Sequence, residues 1–146
     1  MKRVSEIKPA AASSAITDRV VLDAEDRQRR RVVLTSENGT KMLLDFSSPV
    51  TLRDGDALVL DDGSLIAVTG RAEQLIEVSA QTPTDFVRLA WHIGNRHTDV
   101  QFVEKGFRIR ADHVLEEMVK GLGGIVKAIE TPFDPEPATS HHHPHG

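Results

Sequence analysis

With 146 residues the chain has room for one ordinary domain or two very small ones, which excludes a large catalytic barrel. Its 39% hydrophobic content supports a packed core, and 18 Lys+Arg against 22 Asp+Glu leave a mildly acidic protein without the basic face that nucleic-acid binders need. No apolar run approaches the ~18–20 residues of a bilayer-spanning helix, and the absence of cysteine removes disulfides, thiolate zinc sites and thiol nucleophiles, a usage that fits the cytoplasm.

Met1 to Ala15 mix Lys, Glu, Ser, Pro and Ala without periodicity and read as a frayed, disordered leader. From Ile16 to about Gly70 short apolar runs alternate with turn signals, predicting strands at Val20 to Leu22, Arg31 to Thr35, Lys41 to Phe46, Ala57 to Leu60 and Leu65 to Thr69. Asn38-Gly39, Asp54-Gly55 and Asp62-Gly63 supply the turn chemistry between them. Residues 1–74 are therefore expected to form a small all-β N-terminal domain. Arg27 and Arg29 to Arg31 make a basic cluster, but Asp23, Glu25 and Asp26 cancel much of its field, so a solvated turn is expected rather than a nucleic-acid site.

After Gln74 the period changes. Leu75 to Ser79 reads as a strand, and Thr82-Pro83-Thr84-Asp85 supplies an N-cap, a proline at the first helical position and a capping-box acid. Phe86, Leu89, Ala90 and Ile93 then fall on one helical face, and Gly94 with Asn95 ends the helix. A hairpin follows, with Val100 to Val103 and Phe107 to Arg110 flanking Lys105-Gly106. Asp112 caps a second helix whose face carries Leu115, Met118, Val119 and Leu122 before Gly123-Gly124. Ile125 to Glu130 is the last strand. The order β-α-β-β-α-β over residues 75–136 is the ferredoxin-like arrangement, so the fold class is α+β. From Thr131 onward, prolines exclude regular structure, and residues 137–146 read as a disordered, flexible His-rich tail.

Of seven histidines, four stand in that tail at His141, His142, His143 and His145. Imidazole suits Ni(II), Cu(II) and Zn(II), and without thiolates these three are the metals to expect. An appended purification tag is the bland alternative, although Pro144 interrupts the run and Gly146 ends it. His97 follows the helix stop, where a ring can project from the body. The bland reading is that it satisfies the last helical carbonyls. His113 opens the second helix with Glu116 and Glu117 at i+3 and i+4, offering imidazole plus carboxylate or simply a solvated face. His92 lies off the apolar stripe and is assigned no metal. A single His97 cannot hold a transition ion tightly, but a two-fold axis would supply its mate, with the tails adding imidazoles at high effective concentration.

The run Leu89-Ala90-Trp91-His92-Ile93-Gly94-Asn95-Arg96-His97, then Asp112-His113-Val114-Leu115-Glu116-Glu117-Met118, then Pro132-Phe133-Asp134-Pro135-Glu136, resembles the urease accessory protein E family of nickel chaperones. Leu52-Arg53-Asp54-Gly55-Asp56 is similar to the same family's N-terminal domain. The resemblance implies an N-terminal domain that contacts protein partners and a ferredoxin-like domain that dimerises, with His97 as the interface nickel ligand. It also implies urease apoprotein and accessory proteins including the GTPase as partners, in a cytoplasmic homodimer that carries Ni(II) as cargo and is not an enzyme. Ala111 stands where some members carry a histidine, and the short tail favours transfer over storage. Two rivals are kept. A metal-dependent hydrolase using His97 and His113 needs a third fixed ligand and a deep pocket, and an RNA-binding ferredoxin-like module needs stacking aromatics on its sheet.

Overall fold

A computed structural model describes residues 1–9 and 15–136. In chain order the elements are β1 (Lys2–Lys8), β2 (Ile16–Leu22), β3 (Gln28–Thr35), β4 (Lys41–Thr51), β5 (Ala57–Leu60), β6 (Leu65–Gly70), β7 (Ala72–Ser79), α1 (Pro83–Gly94), β8 (Gln101–Val103), β9 (Gly106–Arg110), α2 (His113–Gly121) and β10 (Ile125–Pro132). They fall into two compact units, Met1–Arg71 and Ala72–Gly146, so the division lies three residues before the Gln74/Leu75 step expected from the change of period. The histidine tail lies outside the described residues, as do residues 10–14 of the expected leader.

The first unit is one six-stranded sheet in the order β2-β6-β5-β1-β4-β3. Alternation sends Val20, Leu34, Met42, Leu44, Ile66 and Val68 into a shared core, each less than a tenth exposed. The β3–β4 hairpin turns at Asn38-Gly39, where Gly39 takes φ 88° and its N–H donates to the Ser36 carbonyl at 2.9 Å.

Two expectations fail in this unit. Met1 to Ala15 is not wholly a frayed leader, because Lys2–Lys8 is an interior strand, antiparallel to β5 with Val4 opposite Leu60 and parallel to β4 with Lys2 opposite Met42. A register shift between Val4 and Glu6 spaces the two inward apolar residues, Val4 and Ile7, three apart, and that hides the period of two. Nor is Arg27 part of a solvated turn. It is 1% exposed, with Nε donating to the Leu22 carbonyl and Nη1 to the Leu52 carbonyl, both at 3.2 Å. Its former neighbours Arg29, Arg30 and Arg31 lie on the sheet-edge strand β3, where Arg29 pairs with Asp26 at 3.2 Å and Arg31 with Asp45 at 3.8 Å. Charged residues on an edge strand discourage pairing with another sheet.

The second unit is a four-stranded sheet in the order β10-β7-β9-β8, with every neighbouring pair antiparallel. Its core is Ile76, Val78, Leu89, Ile93, Phe107, Ile109, Leu115 and Val119, drawn from the sheet and both helices. α1 and α2 start at side-chain caps, Thr82 accepting from the Asp85 N–H at 3.1 Å and Asp112 from the Leu115 N–H at 3.0 Å. At Gly106 a Cβ would collide with the carbonyl oxygen of Val78, so only glycine lets β9 approach β7 there.

Proline does not end regular structure at Thr131. β10 continues to Pro132, which pairs opposite Ala72, and the missing N–H is tolerated because β10 is an edge strand. Beyond it, Phe133 is 0% exposed and Pro135 is buried, so Thr131 to Glu136 is anchored chain rather than the start of a loose tail.

Candidate functional site

The residues that build the site sit at the end of α1. Leu89 and Ile93 bury one face of the helix against the sheet, with Phe86 and Ala90 packed beside them. The opposite face exposes Val87 at 67% and Trp91 at 64%, one helical turn apart, a ridge of apolar surface on an otherwise polar helix. The Trp91 ring meets the edge of His92 at 5.0 Å between centroids, which gives His92 an aromatic partner and no ligand role.

The helix closes by a tightening turn. Asn95 N–H donates to the Trp91 carbonyl at 3.1 Å, Arg96 N–H to Ile93 at 3.0 Å and His97 N–H to Gly94 at 3.2 Å. His97 then takes φ 55°, and among the described residues it is the one non-glycine in the left-handed region. Histidine tolerates that region better than most residues but still carries strain there. The turn leaves His97 exposed and aims the chain through Thr98 and Asp99 into β8.

His97 lines a cleft of about 470 Å³ whose walls include Ile93, Asp99, Phe102, Phe107 and Glu136. Two of these were not singled out from the sequence as site residues. Asp99 accepts from Arg110 Nη1 at 2.8 Å. Glu136, the last described residue, reaches the rim because its N–H donates to the Val100 carbonyl at 2.7 Å. The chain bearing the histidine tail therefore departs beside His97. The Arg110 guanidinium also binds Glu73 through Nε at 3.3 Å and lies 4.9 Å from the Phe133 ring centroid. Partial burial works against its charge, but Asp99 and Glu73 outweigh that and hold its pKa above the ordinary value.

His113 is the first residue of α2 and is exposed. Glu116, its expected carboxylate companion, instead pairs with Lys120 at 2.9 Å. Among the described residues no group of three or more His, Asp or Glu is gathered for a metal ion, so the third fixed ligand that the hydrolase rival needs is missing there. The RNA-module rival also lacks its platform. Phe102 and Phe107 lie opposite each other, their ring centroids 6.4 Å apart, and Phe107 is buried in the core that the helices cover. His141, His142, His143 and His145 lie outside the described residues. No helix among the described residues is long and apolar enough to cross a membrane.

A two-domain α+β protein with an exposed histidine at a helix end is the class that fold and site define. Comparison with known families places it more narrowly. Residues 2–70 match the N-terminal domain, and residues 73–146 the C-terminal domain, of the UreE urease accessory protein family, and the chain belongs to that family. It is 54% identical over 124 residues to the urease accessory protein UreE of Rhodopseudomonas palustris (strain BisB18), covering 85% of this chain and 59% of that protein. It is 40% identical over 147 residues to the UreE of Rhizobium rhizogenes (strain K84), covering 100% of this chain and 87% of that one. The chain thus spans less than two thirds of the length of the first of these relatives.

Proposed function

We propose that the protein is a nickel metallochaperone that works as a homodimer in the cytoplasm, carrying Ni(II) as cargo to urease apoprotein during assembly of the urease active site. Accessory proteins including the GTPase are its partners, and it binds and hands over metal rather than catalysing a reaction. The observation that carries this reading is the state of His97. One exposed imidazole beside the apolar ridge of Val87 and Trp91 is half of a site, and a two-fold axis placed there supplies the other half from a second copy.

The C-terminal unit is read as ferredoxin-like. Its βαββαβ order and all-antiparallel pairing support that assignment. Residues 75–136 then form the metal-binding and dimerisation domain, residues 1–74 the partner-contacting β domain, and residues 137–146 a flexible histidine-rich extension. His97 is the shared ligand. His141, His142, His143 and His145 are tethered donors, and His113 is a weaker peripheral one. Zn(II) and Cu(II) compete for the same nitrogen donors, since affinity order alone does not favour nickel over copper.

Calorimetric titration with Ni(II), alongside sedimentation measurement of oligomeric state, tests the reading. One tight ion per dimer plus weaker ions is expected. A monomer that binds one tight ion per chain, or a dimer with no tight event, refutes it.

A further inference from the structure

Arg110 closes β9 on the sheet face opposite to that of Ile109, which lies in the helix-covered core. Its guanidinium reaches three segments that are far apart in sequence. Nε donates to Glu73 of β7 at 3.3 Å, Nη1 to Asp99 at 2.8 Å, and the cation lies 4.9 Å from the centroid of Phe133. Asp99 is two residues beyond His97, and Phe133 three residues before Glu136. Two more bonds continue the tie along the same path, from the Asp134 N–H to Gln101 Oε1 at 3.0 Å and from the Glu136 N–H to the Val100 carbonyl at 2.7 Å.

We propose that Arg110 is a positioning residue that clamps the His97 loop to the root of the histidine tail, so that imidazoles from both segments can reach one metal ion. This rests on the reading of His97 and the tail as nickel ligands. From a fixed Glu136, the five residues to His141 span at most about 17 Å, at ~3.3–3.6 Å per residue. A short tether with an anchored root keeps tail imidazoles at high effective concentration near His97, and loosening the root dilutes them. A planar fork that binds two carboxylates and stacks on a ring is a task for arginine, and lysine reproduces only part of it.

The test uses Arg110→Gln and Arg110→Lys in the full chain and in a chain ending at Glu136, with His97→Asn as control. Amide hydrogen exchange is followed on metal-free protein and Ni(II) affinity by calorimetry. Arg110→Gln is expected to speed exchange at the Asp134 and Glu136 amides. It should weaken the tight Ni(II) event roughly three- to tenfold in the full chain, the scale of a half-exposed ion-pair network with a cation–π contact, and leave the truncated chain unchanged. Arg110→Lys should recover part of the loss. Equal weakening in both chains, or none in either, overturns the proposal as a merely structural role. Exchange at the wild-type rate in Arg110→Gln overturns the clamp alone. Retention of the tight event by His97→Asn overturns the nickel reading, and with it the metal half of the clamp.

Discussion

Replacing His97 separates its backbone from its imidazole. At φ 55° the residue sits where an L side chain costs ~1–2 kcal/mol relative to the right-handed region. His97→Gly removes that cost but adds ~0.5–1 kcal/mol of unfolded-chain entropy, so it is expected to be neutral or stabilising by up to about 1 kcal/mol. His97→Ala keeps the strain, and alanine is less at home in this region than histidine. The two variants should therefore differ by roughly 1 kcal/mol, or ~4–8 °C in Tm for a domain of this size, in thermal unfolding followed by circular dichroism. Nickel binding should not follow that split. Both variants lack the ring, so both should lose the tight event equally in calorimetric titration. Tight binding retained by His97→Gly, or an affinity that tracks Tm across the two variants, would refute the assignment of the imidazole as ligand.

Four further outcomes are expected. Phe133→Ala empties a site that is 0% exposed and should cost about 3–5 kcal/mol by denaturant unfolding, a loss a loose tail residue could not produce. Asp62 is held below its ordinary value of 3.8 by its hydrogen bond from Lys2 of β1, assisted by Ser64, so its contribution is present above that value and is lost as pH falls through the lower folded-state pKa. Unfolding of Asp62→Asn should accordingly match wild type in strong acid and fall below it at neutral pH. His113→Ala should leave the tight Ni(II) event in place, as calorimetry would show. Ending the chain at Glu136 should lower the number of Ni(II) ions bound at pH 7.5 in equilibrium dialysis, and the difference should fade as pH falls through ~6.5, where protons compete for unperturbed imidazole.

Much of the second unit was legible because its signals are local. Thr82-Pro83 and Asp112 act as caps within a few residues of themselves, and the stripes Phe86/Leu89/Ala90/Ile93 and Leu115/Met118/Val119/Leu122 are properties of single helices. The features that escaped depend on partners distant in sequence. Arg27 looks like one more surface cation until the carbonyls of Leu22 and Leu52 converge on it. The strand at Lys2–Lys8 is concealed by its own bulge. In the candidate site, His97 announces itself as a histidine just past a helix stop, whereas Arg110 gives no local signal. Its role depends on Asp99, Glu73 and Phe133 arriving from three directions.

His97 and His113 have the same side chain and are both exposed, so neither residue type nor burial separates them. Their places relative to the helices do. A helix carries partial positive charge at its N-terminus and partial negative charge at its C-terminus. His113 is the first residue of α2, beside N–H groups that oppose a bound cation, and the nearby Glu116 is engaged by Lys120. His97 lies just past the last turn of α1, where the carbonyls of Trp91, Ile93 and Gly94 gather negative charge even while accepting the N–H groups of Asn95, Arg96 and His97. The field at His97 favours a cation before any ligand is counted, the left-handed turn presents its ring outward, and Val87 with Trp91 offers apolar surface for a second copy. The fold thus ranks two histidines that a motif alone leaves equal.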